Sequence, residues 1–235
     1  MRYALYFAPP AIDPLSQAAA RWLGRDAFTG ETMPLKETVD FDAAELHALT
    51  DDPRRYGFHG TLKAPFALAE GRSEGELLAE LAAFAAGSAG FAIPELVLGQ
   101  LGSFFALVPA GPCLPLQAHA ADVVRHFEPF RAPLSEADIA RRRPDRLPPR
   151  QRDNLLTWGY PYVFDDFGFH MTLTGPVPEH RTEAMRRLLE QRFAAFIGEP
   201  LPVRHLGLFV EPARGAPFSV HTLLPLSGPS NRKIA

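Results

Sequence analysis

The sequence contains very little cysteine, since Cys113 is the only one among 235 residues. An intramolecular disulfide and a cysteine-rich zinc site are therefore excluded, and a reducing compartment is favoured. No apolar run approaches the roughly 18 residues that a membrane span needs. Pro9 and Pro10 interrupt the first apolar segment before a signal-peptide core could form. We therefore expect a soluble protein of the cytoplasm.

An excess of positive charge is also missing. The chain has 24 Lys and Arg against 27 Asp and Glu, a formal net charge of -3, so a polyanion would have to meet a local basic patch. No GxxxxGK[ST], GxGxxG, GxSxG or HExxH motif occurs. Nucleoside triphosphate, dinucleotide, serine-hydrolase and zinc-protease chemistry are thus unsupported. Hydrophobic residues make up 46% of the chain, enough for the sizeable core of a globular protein.

One peptide occurs twice. YGFHGTLKAPF at 56–66 and FGFHMTLTGPV at 167–177 are separated by 111 residues, and six of their eleven positions are identical. The identities include polar residues, which are His59 with His170 and Thr61 with Thr172. A single histidine or threonine on a strand usually has only a structural role. Because the polar residues are repeated as fully as the apolar ones, a functional site is favoured.

The segments that follow the two peptides repeat one order of predicted elements. Ser73 and Glu76 form a capping-box pattern before an amphipathic helix over 73–87. A second amphipathic helix is predicted over 182–198, with Gly198 as its stop. A hairpin pattern then closes each copy. The sequence thus predicts two units, about 56–110 and 167–226, each with a motif strand, a helix and two further strands.

These patterns predict an α+β fold in a single bilobal domain, 1–235. We expect two antiparallel sheets backed by helices, related by pseudo-two-fold symmetry, with a central cleft. A further strand is expected at 2–8 and further helices at 14–24 and 114–130. The Pro- and Arg-rich segment of about 133–152 is expected to be a long inter-lobe loop.

The arginines of that segment, within 141–152, have two open interpretations. They cap the cleft and gather a phosphorylated or RNA substrate, or they form a solvated loop. Aromatic residues for base stacking are absent from the run, which weakens the case for RNA.

Each motif strand is expected to have one polar face, because side chains on a strand alternate between faces. The predicted sets are His59, Thr61 and Lys63 in the first copy and His170, Thr172 and Thr174 in the second. Across a cleft, one imidazole could accept a proton from an oxygen attacking phosphorus while the other gives a proton to the leaving oxygen. The threonine hydroxyls would hydrogen-bond the non-bridging oxygens, and Lys63 would balance charge without a metal.

Several side chains keep alternative roles. For Lys63 the alternative to a substrate contact is a solvated position at the end of the strand. The second copy has Thr174 at the equivalent position, and this difference predicts an asymmetric ligand. Candidates to stack on or hydrogen-bond the substrate, or else core and rim residues, are Tyr6, Tyr160 and Tyr162. Metal ligation is disfavoured, because catalytic zinc usually takes three protein ligands and His205 and His221 match no ligand spacing.

HGTL at 59–62 and HMTL at 170–173 resemble the paired His-x-Thr motifs of the 2H (two-histidine) phosphoesterase superfamily. The longer peptides HGTLKAPF and WGYPYVFDDFGFHMTLTGP resemble a branch of uncharacterised proteins associated with phosphonate-utilisation genes. The resemblance extends over about 2–226. It implies a bilobal fold and opening or formation of phosphodiesters without a metal or other cofactor. His59 and His170 would be acid and base, and Thr61 and Thr172 would hold the phosphate.

The implied substrate is a small phosphorylated compound. The superfamily resemblance implies a 2′,3′-cyclic nucleotide or an RNA end, and the narrower one implies a cyclic ribose phosphate. We expect a hydrolase of the cyclic phosphodiesterase type. A non-catalytic phosphate-ligand binding protein using the same cleft and an RNA-end ligase or processing enzyme are the alternatives.

Overall fold

The secondary structure was obtained from a computed structural model that describes residues 1–229. The strands are β1 (Arg2–Phe7), β2 (Gly60–Phe66), β3 (Phe91–Ile93), β4 (Leu96–Leu101), β5 (Phe104–Pro109), β6 (Met171–Thr172), β7 (Leu201–Val203), β8 (His205–Glu211) and β9 (Ser219–Pro225). The α-helices are α1 (Pro14–Leu23), α2 (Ala43–Leu49), α3 (Asp51–Tyr56), α4 (Glu74–Gly87), α5 (Leu114–His126), α6 (Glu136–Arg141), α7 (Pro149–Trp158) and α8 (Thr182–Arg192). The end of the predicted domain, 230–235, lies outside the described residues.

Two antiparallel sheets form the framework. The larger has the strand order β4-β5-β6-β2-β1-β8-β9, and the smaller is the pair β3-β7. Helix α5 packs against β2, while α4 packs against β8 and β9. The apolar faces of α1, α4, α5 and α8 join the strands in one core, in which Leu77, Val123 and Leu189 are wholly buried. The α+β class, with antiparallel sheets backed by helices, is confirmed.

The large sheet is divided at its middle. Motif strands β2 and β6 are joined by a single residue pair, Gly60 with Met171, and these occupy the same position in the two copies of the peptide. The ribbon β3-β7 pairs Ile93 with Leu201, which are also equivalent in the repeat. An antiparallel pair of equivalent positions has a local two-fold axis between its strands. Both registers therefore fit a two-fold relation between the copies.

The hairpins are exchanged between the two copies. Hairpin β4-β5 comes from the first copy but pairs through β5 with β6, the motif strand of the second. Hairpin β8-β9 comes from the second copy and pairs with β1, which lies beside β2. Neither motif strand pairs with the hairpin of its own copy. The two predicted units are therefore interlocked in one sheet.

Most predicted elements occur near their expected positions. The capping box at α4 is present, since Ser73 Oγ accepts from Glu76 N at 3.2 Å and Glu76 Oε2 accepts from Ser73 N at 2.7 Å. Helix α8 ends at Arg192, whereas the sequence predicted a helix up to Gly198, because the chain turns at Phe193 to bury that ring. No helix within residues 1–229 combines the length and the apolar character needed to cross a bilayer.

The predicted inter-lobe loop at 133–152 is largely helical. Helix α6 begins at a Ser135 cap, and α7 begins with Pro149 in its first turn. Hydrogen bonds hold both ends of the segment to the rest of the protein. Asp138 of the segment accepts from Arg214 at 2.9 Å, and Arg150 of the segment donates to Asp166 at 2.6 Å. The prolines of this segment predicted a loop, but in the structure two of them lie in the first turns of helices.

Candidate active site

The two motif histidines are oriented in the same way. Nδ1 of His59 donates to the Gly57 carbonyl oxygen at 2.8 Å, and Nδ1 of His170 donates to the Gly168 carbonyl oxygen at 2.8 Å. A carbonyl oxygen only accepts, so the hydrogen is on Nδ1 in both rings. Each Nε2 is then the nitrogen that can gain or lose a proton.

The glycine that orients the first histidine is required by its backbone. Gly57 has a φ of 75°, which disfavours residues with a Cβ. A Cβ at Gly57 would also lie 2.4 Å from that of Ala27. The carbonyl that holds His59 is thus fixed by the end of α3 and by its contact with the 24–35 segment.

His59 and His170 lie one residue before β2 and β6, and extending the Gly60–Met171 register by one residue on either side would place His59 opposite Thr172 and His170 opposite Thr61. The four side chains are on the same face, opposite to that of Gly60 and Met171, because neighbouring residues on a strand alternate. Directly opposed residues have Cβ atoms about 4.5–5.5 Å apart. Nε2 of His59 already contacts Thr61 Oγ1 at 3.2 Å. The register of the duplicated peptide thus predicts one group of two imidazoles and two hydroxyls.

The surroundings of the two imidazoles differ. His59 stacks on Tyr6, with ring centroids 3.8 Å apart and planes 20° apart, and it also faces Phe209 at 6.1 Å. His170 has Phe104 at 5.9 Å. Burial lowers the pKa of His59 to about 4; the bond to Gly57 opposes this shift and the charge on His170 adds to it. At neutral pH His59 is therefore uncharged and suited to accept a proton.

Gly60 leaves room for an aromatic ring between the motifs. A Cβ at this position would be 2.3 Å from the ring of Phe169, the residue before His170. Phe169 is itself buried against Phe7 of β1, with centroids 6.1 Å apart. The close contact means that the backbone of β2 supports the position of the second motif.

Lys63 and Thr174 do not share the polar face with the histidines. Between Tyr6-Thr61 and Leu5-Lys63 the β1-β2 register shifts, so β2 carries a bulge that reverses the alternation. In the second copy, the nitrogens of Leu173 and Thr174 both donate to one acceptor, the Phe105 oxygen, at 2.9 and 3.2 Å. The same irregularity therefore follows each HxT motif, and the predicted face ends at the threonine.

The polar groups of these two residues are engaged inside the protein. Lys63 is 3% exposed, and its Nζ donates to Glu128 Oε2 at 2.7 Å and to the Val124 oxygen at 3.2 Å. Thr174 is wholly buried, with Oγ1 accepting from Phe105 N at 3.0 Å. This placement disagrees with the expected substrate contacts, because the ammonium is paired with Glu128 and the threonine hydroxyl is buried against Phe105.

The three candidate tyrosines have different positions. Tyr6 is buried beneath the His59 ring and supports it. Tyr160 and Tyr162 lie after α7 with ring centroids 5.4 Å apart; Tyr160 is partly buried and Tyr162 is 45% exposed. Burial raises the pKa of Tyr160, and the Arg142 guanidinium, 5.1 Å from its ring, opposes this. One arginine of the predicted cap therefore contacts a candidate substrate residue.

Three nearby residues were missed by the sequence prediction. Tyr56, at the end of α3, lies 6.1 Å from His59 between ring centroids, and Arg55 donates to its hydroxyl. Phe209 reaches His59 from β8 of the other copy. Tyr56 is adjacent to the first motif and could have been identified from that. No pattern in the sequence connects Phe209 with His59.

A metal centre has no support in this arrangement. Within residues 1–229, no group of three or more His, Cys, Asp or Glu side chains is placed to hold a metal ion. His221 lies 3.6 Å from Glu74, an ion-pair distance, rather than beside the motif histidines.

Comparison with known proteins identifies one family and two curated relatives. A family model described as protein of unknown function (DUF1045) matches residues 61–219. The chain is 39% identical to a protein of Janthinobacterium sp. (strain Marseille) and 35% identical to one of Laribacter hongkongensis (strain HLHK9), both named Ribose 1,5-bisphosphate phosphokinase PhnN. The alignments cover 98% and 95% of this chain but 52% of each relative. The chain therefore spans about half the length of these relatives.

Distant similarity to solved structures extends over almost the whole chain. E. coli LigT in complex with NADP+ matches with a TM-score of 0.44 at 15% identity, covering 96% of this chain and 97% of that chain. A structure described as a phosphoesterase gives 0.46 at 16% identity, covering 96% and 98%. The protein TT0787 of Thermus thermophilus gives 0.46 at 15%, covering 97% and 99%.

Proposed function

The chain belongs to the family described as protein of unknown function (DUF1045), and from its two motifs we propose that it is a metal-independent phosphodiesterase that opens a small cyclic phosphate. One observation carries the proposal. Two imidazoles, each fixed through Nδ1 by the carbonyl two residues before it, immediately precede the adjacent strands β2 and β6, and the extended register places a threonine hydroxyl opposite each. This arrangement provides one proton acceptor, one proton donor and two donors to phosphoryl oxygens.

The proposed reaction is an in-line attack of water on phosphorus. Nε2 of His59, uncharged at neutral pH, accepts a proton from the water as the new P–O bond forms. His170, protonated on Nε2, gives its proton to the ring oxygen whose bond to phosphorus breaks. Thr61 and Thr172 donate to the non-bridging oxygens, where negative charge grows. One water is consumed, and the product is a phosphate monoester with a free hydroxyl.

The assignment of His59 as the base depends on its environment. A ring stacked on Tyr6 and packed against Phe209 loses hydration, which disfavours the imidazolium form. His59 therefore stays uncharged at neutral pH, as a general base requires. The reverse reaction, ligation, would use the same groups in exchanged roles.

We propose a cyclic phosphate of a ribose phosphate as the substrate. The curated relatives are named for a kinase of ribose 1,5-bisphosphate. Opening the 1,2-cyclic phosphate of ribose 5-phosphate at O2 leaves the phosphate on O1 and gives that compound. Arg142, which lies over the Tyr160 ring, is a candidate to hold the second phosphate at the rim of the site.

The test is a metal-free assay with His59→Gln and His170→Gln. The panel contains 2′,3′-cyclic nucleotides, ribose 1,2-cyclic phosphate 5-phosphate and RNA ending in a cyclic phosphate. Each variant should lose about 10²- to 10⁴-fold in kcat on whichever compound the unaltered protein opens. His180→Gln, which changes an exposed histidine, is the matched control. Full activity in both motif variants would refute the mechanism.

The same panel separates the alternatives. Binding of a cyclic phosphate without turnover by the unaltered protein would indicate the binding-protein function. Salt-dependent affinity for oligonucleotides that falls when Arg141, Arg142 and Arg143 are neutralised would indicate RNA-end processing. If His59 is the base, the rising limb of the kcat/KM profile should have its midpoint at about pH 4.

A further inference from the structure

A cavity of about 640 Å³ lies beside α3, away from the motif side chains. Its walls are the 24–35 segment, the facing sides of α2 and α3, and the turn before β9. The polar lining is Arg25, Thr32, His47, Asp51, Arg54 and Arg55. None of the four motif histidines and threonines lines it. Three arginines thus line a space large enough for a small metabolite.

Arg25 differs from the other two arginines in its partners. Arg54 donates to Asp51 at 3.1 Å and Arg55 donates to Glu211 at 2.9 Å. Arg25 is only 8% exposed, and within residues 1–229 the one hydrogen bond of its side chain is a long contact of 3.4 Å from Nη1 to the Arg54 oxygen. Within residues 1–229 it forms no salt bridge; burial lowers the pKa of Arg25, and the nearby Asp26 carboxylate opposes this shift. A buried charge without a partner is unfavourable, so the guanidinium is ready to pair with an anion in the cavity.

The backbone around Arg25 holds the side chain in place. Arg25 pairs with Thr32 across a short antiparallel bridge, and Met33 N donates to the Gly24 oxygen at 2.9 Å. Gly24 has a φ of 73°, which sets the turn after α1. Because these backbone contacts fix the chain on both sides of the cavity opening, little further ordering of the protein is needed when a ligand binds.

We infer that this cavity is a second binding site, which takes the phosphate group of a small metabolite at Arg25. A guanidinium offers parallel N–H donors that match two phosphate oxygens, and the Thr32 hydroxyl at the rim can add a further donor. The volume suits one small molecule rather than a polymer. The ligand is inorganic phosphate or a phosphate monoester, and the two share this recognition.

The proposed site is independent of the HxT motifs. Arg54 and Arg55 line the cavity from α3, whereas Tyr56 and Gly57, which follow them, lead to His59. Loss of phosphodiesterase activity would therefore leave the second site in place. Loss of the second site would leave the motif groups unchanged.

The experiment measures phosphate binding by titration calorimetry in a Thr61→Val/Thr172→Val background, which lacks the motif hydroxyls. Inorganic phosphate and ribose 5-phosphate are the two probes, and ribose is the uncharged control. Binding should persist in the background, and Arg25→Gln should weaken it by about tenfold or more, since charge-assisted hydrogen bonds are lost. Arg72→Gln changes an exposed arginine and should have no effect. Tighter binding of ribose 5-phosphate than of phosphate would identify a monoester ligand, and the reverse would identify the free anion.

A second variant covers the case in which Arg25→Gln does not fold. Thr32 is exposed, so Thr32→Glu should fold and should weaken binding by placing a like charge at the mouth. The inference is overturned if the background variant with Arg25 intact binds neither probe. It is also overturned if neither Arg25→Gln nor Thr32→Glu alters the affinity.

Discussion

The buried pair of Lys63 and Glu128 allows a prediction that separates two roles for Lys63. Glu128 holds two cations, because Oε1 also accepts from Arg131 Nε at 2.9 Å. Lys63 has Glu128 as its only anionic partner within residues 1–229. Removing the lysine therefore leaves Glu128 paired with Arg131. Removing the carboxylate leaves a buried ammonium unpaired.

The two substitutions should have unequal effects on stability. Breaking a buried ion pair costs about 3–5 kcal/mol when a charge is left behind, and Glu128→Gln should be near the lower end at about 3 kcal/mol. Burial already lowers the pKa of Lys63, so the lysine can lose its proton and limit the cost. Lys63→Met should cost about 1 kcal/mol or less, because its stem lies among apolar groups and Glu128 keeps a partner.

Urea denaturation of both variants measures these differences, with Asp122→Asn as the control. Asp122 and Arg125 form an exposed pair at 3.9 Å, whose loss should cost less than about 0.5 kcal/mol. Lys63→Met should also retain the turnover of the unaltered protein. A fall in its turnover, or a destabilisation equal to that of Glu128→Gln, would refute the structural role and restore a role in substrate binding.

Three further predictions concern other buried positions. Gly60→Ala should lower the free energy of unfolding by about 1–3 kcal/mol and should lower turnover, because the added Cβ meets Phe169. Gly75→Ala, at an exposed position of α4, is the control and should be neutral or stabilising in the same urea titrations. Burial lowers the pKa of His119 to about 4, so the native state binds fewer protons than the unfolded state between pH 6.5 and 4. Stability should fall by up to about 3 kcal/mol as pH drops through this window, and His119→Leu should abolish this contribution; an unchanged slope would contradict it. Thr174→Val should cost about 1–3 kcal/mol in urea titrations without altering KM, and a raised KM would contradict the structural role.

The repeat predicted the parts of the site that depend on sequence order. His59 and His170 were predicted because the two peptides match, and the alternation of strand side chains predicted Thr61 and Thr172 on the same face. Alternation failed one step later, at Lys63 and Thr174, because a bulge depends on pairing with a neighbouring strand. A single sequence without its strand partners does not contain that information.

The helices at 133–152 were missed for a different reason. Pro144 and Pro149 predicted a loop by composition, but proline is favoured in the first turn of a helix, where its missing N–H is not needed. The strand with which each hairpin pairs could not be predicted either, because the repeat suggests that each copy folds on itself. Contacts such as Phe209 with His59 follow only from the exchange of hairpins.

That exchange makes the two copies mutually dependent. A polypeptide cut between them at about residue 135 would yield a first fragment in which β2 keeps β1 but loses β6, and a second in which β6 has no partner strand; in each fragment the hairpin would lose its neighbour in the sheet. Separately made fragments would have to associate before either could complete its sheet, so their folding would depend on concentration as in an obligate dimer. In the intact chain the covalent link makes that encounter intramolecular, and unfolding should be a single transition.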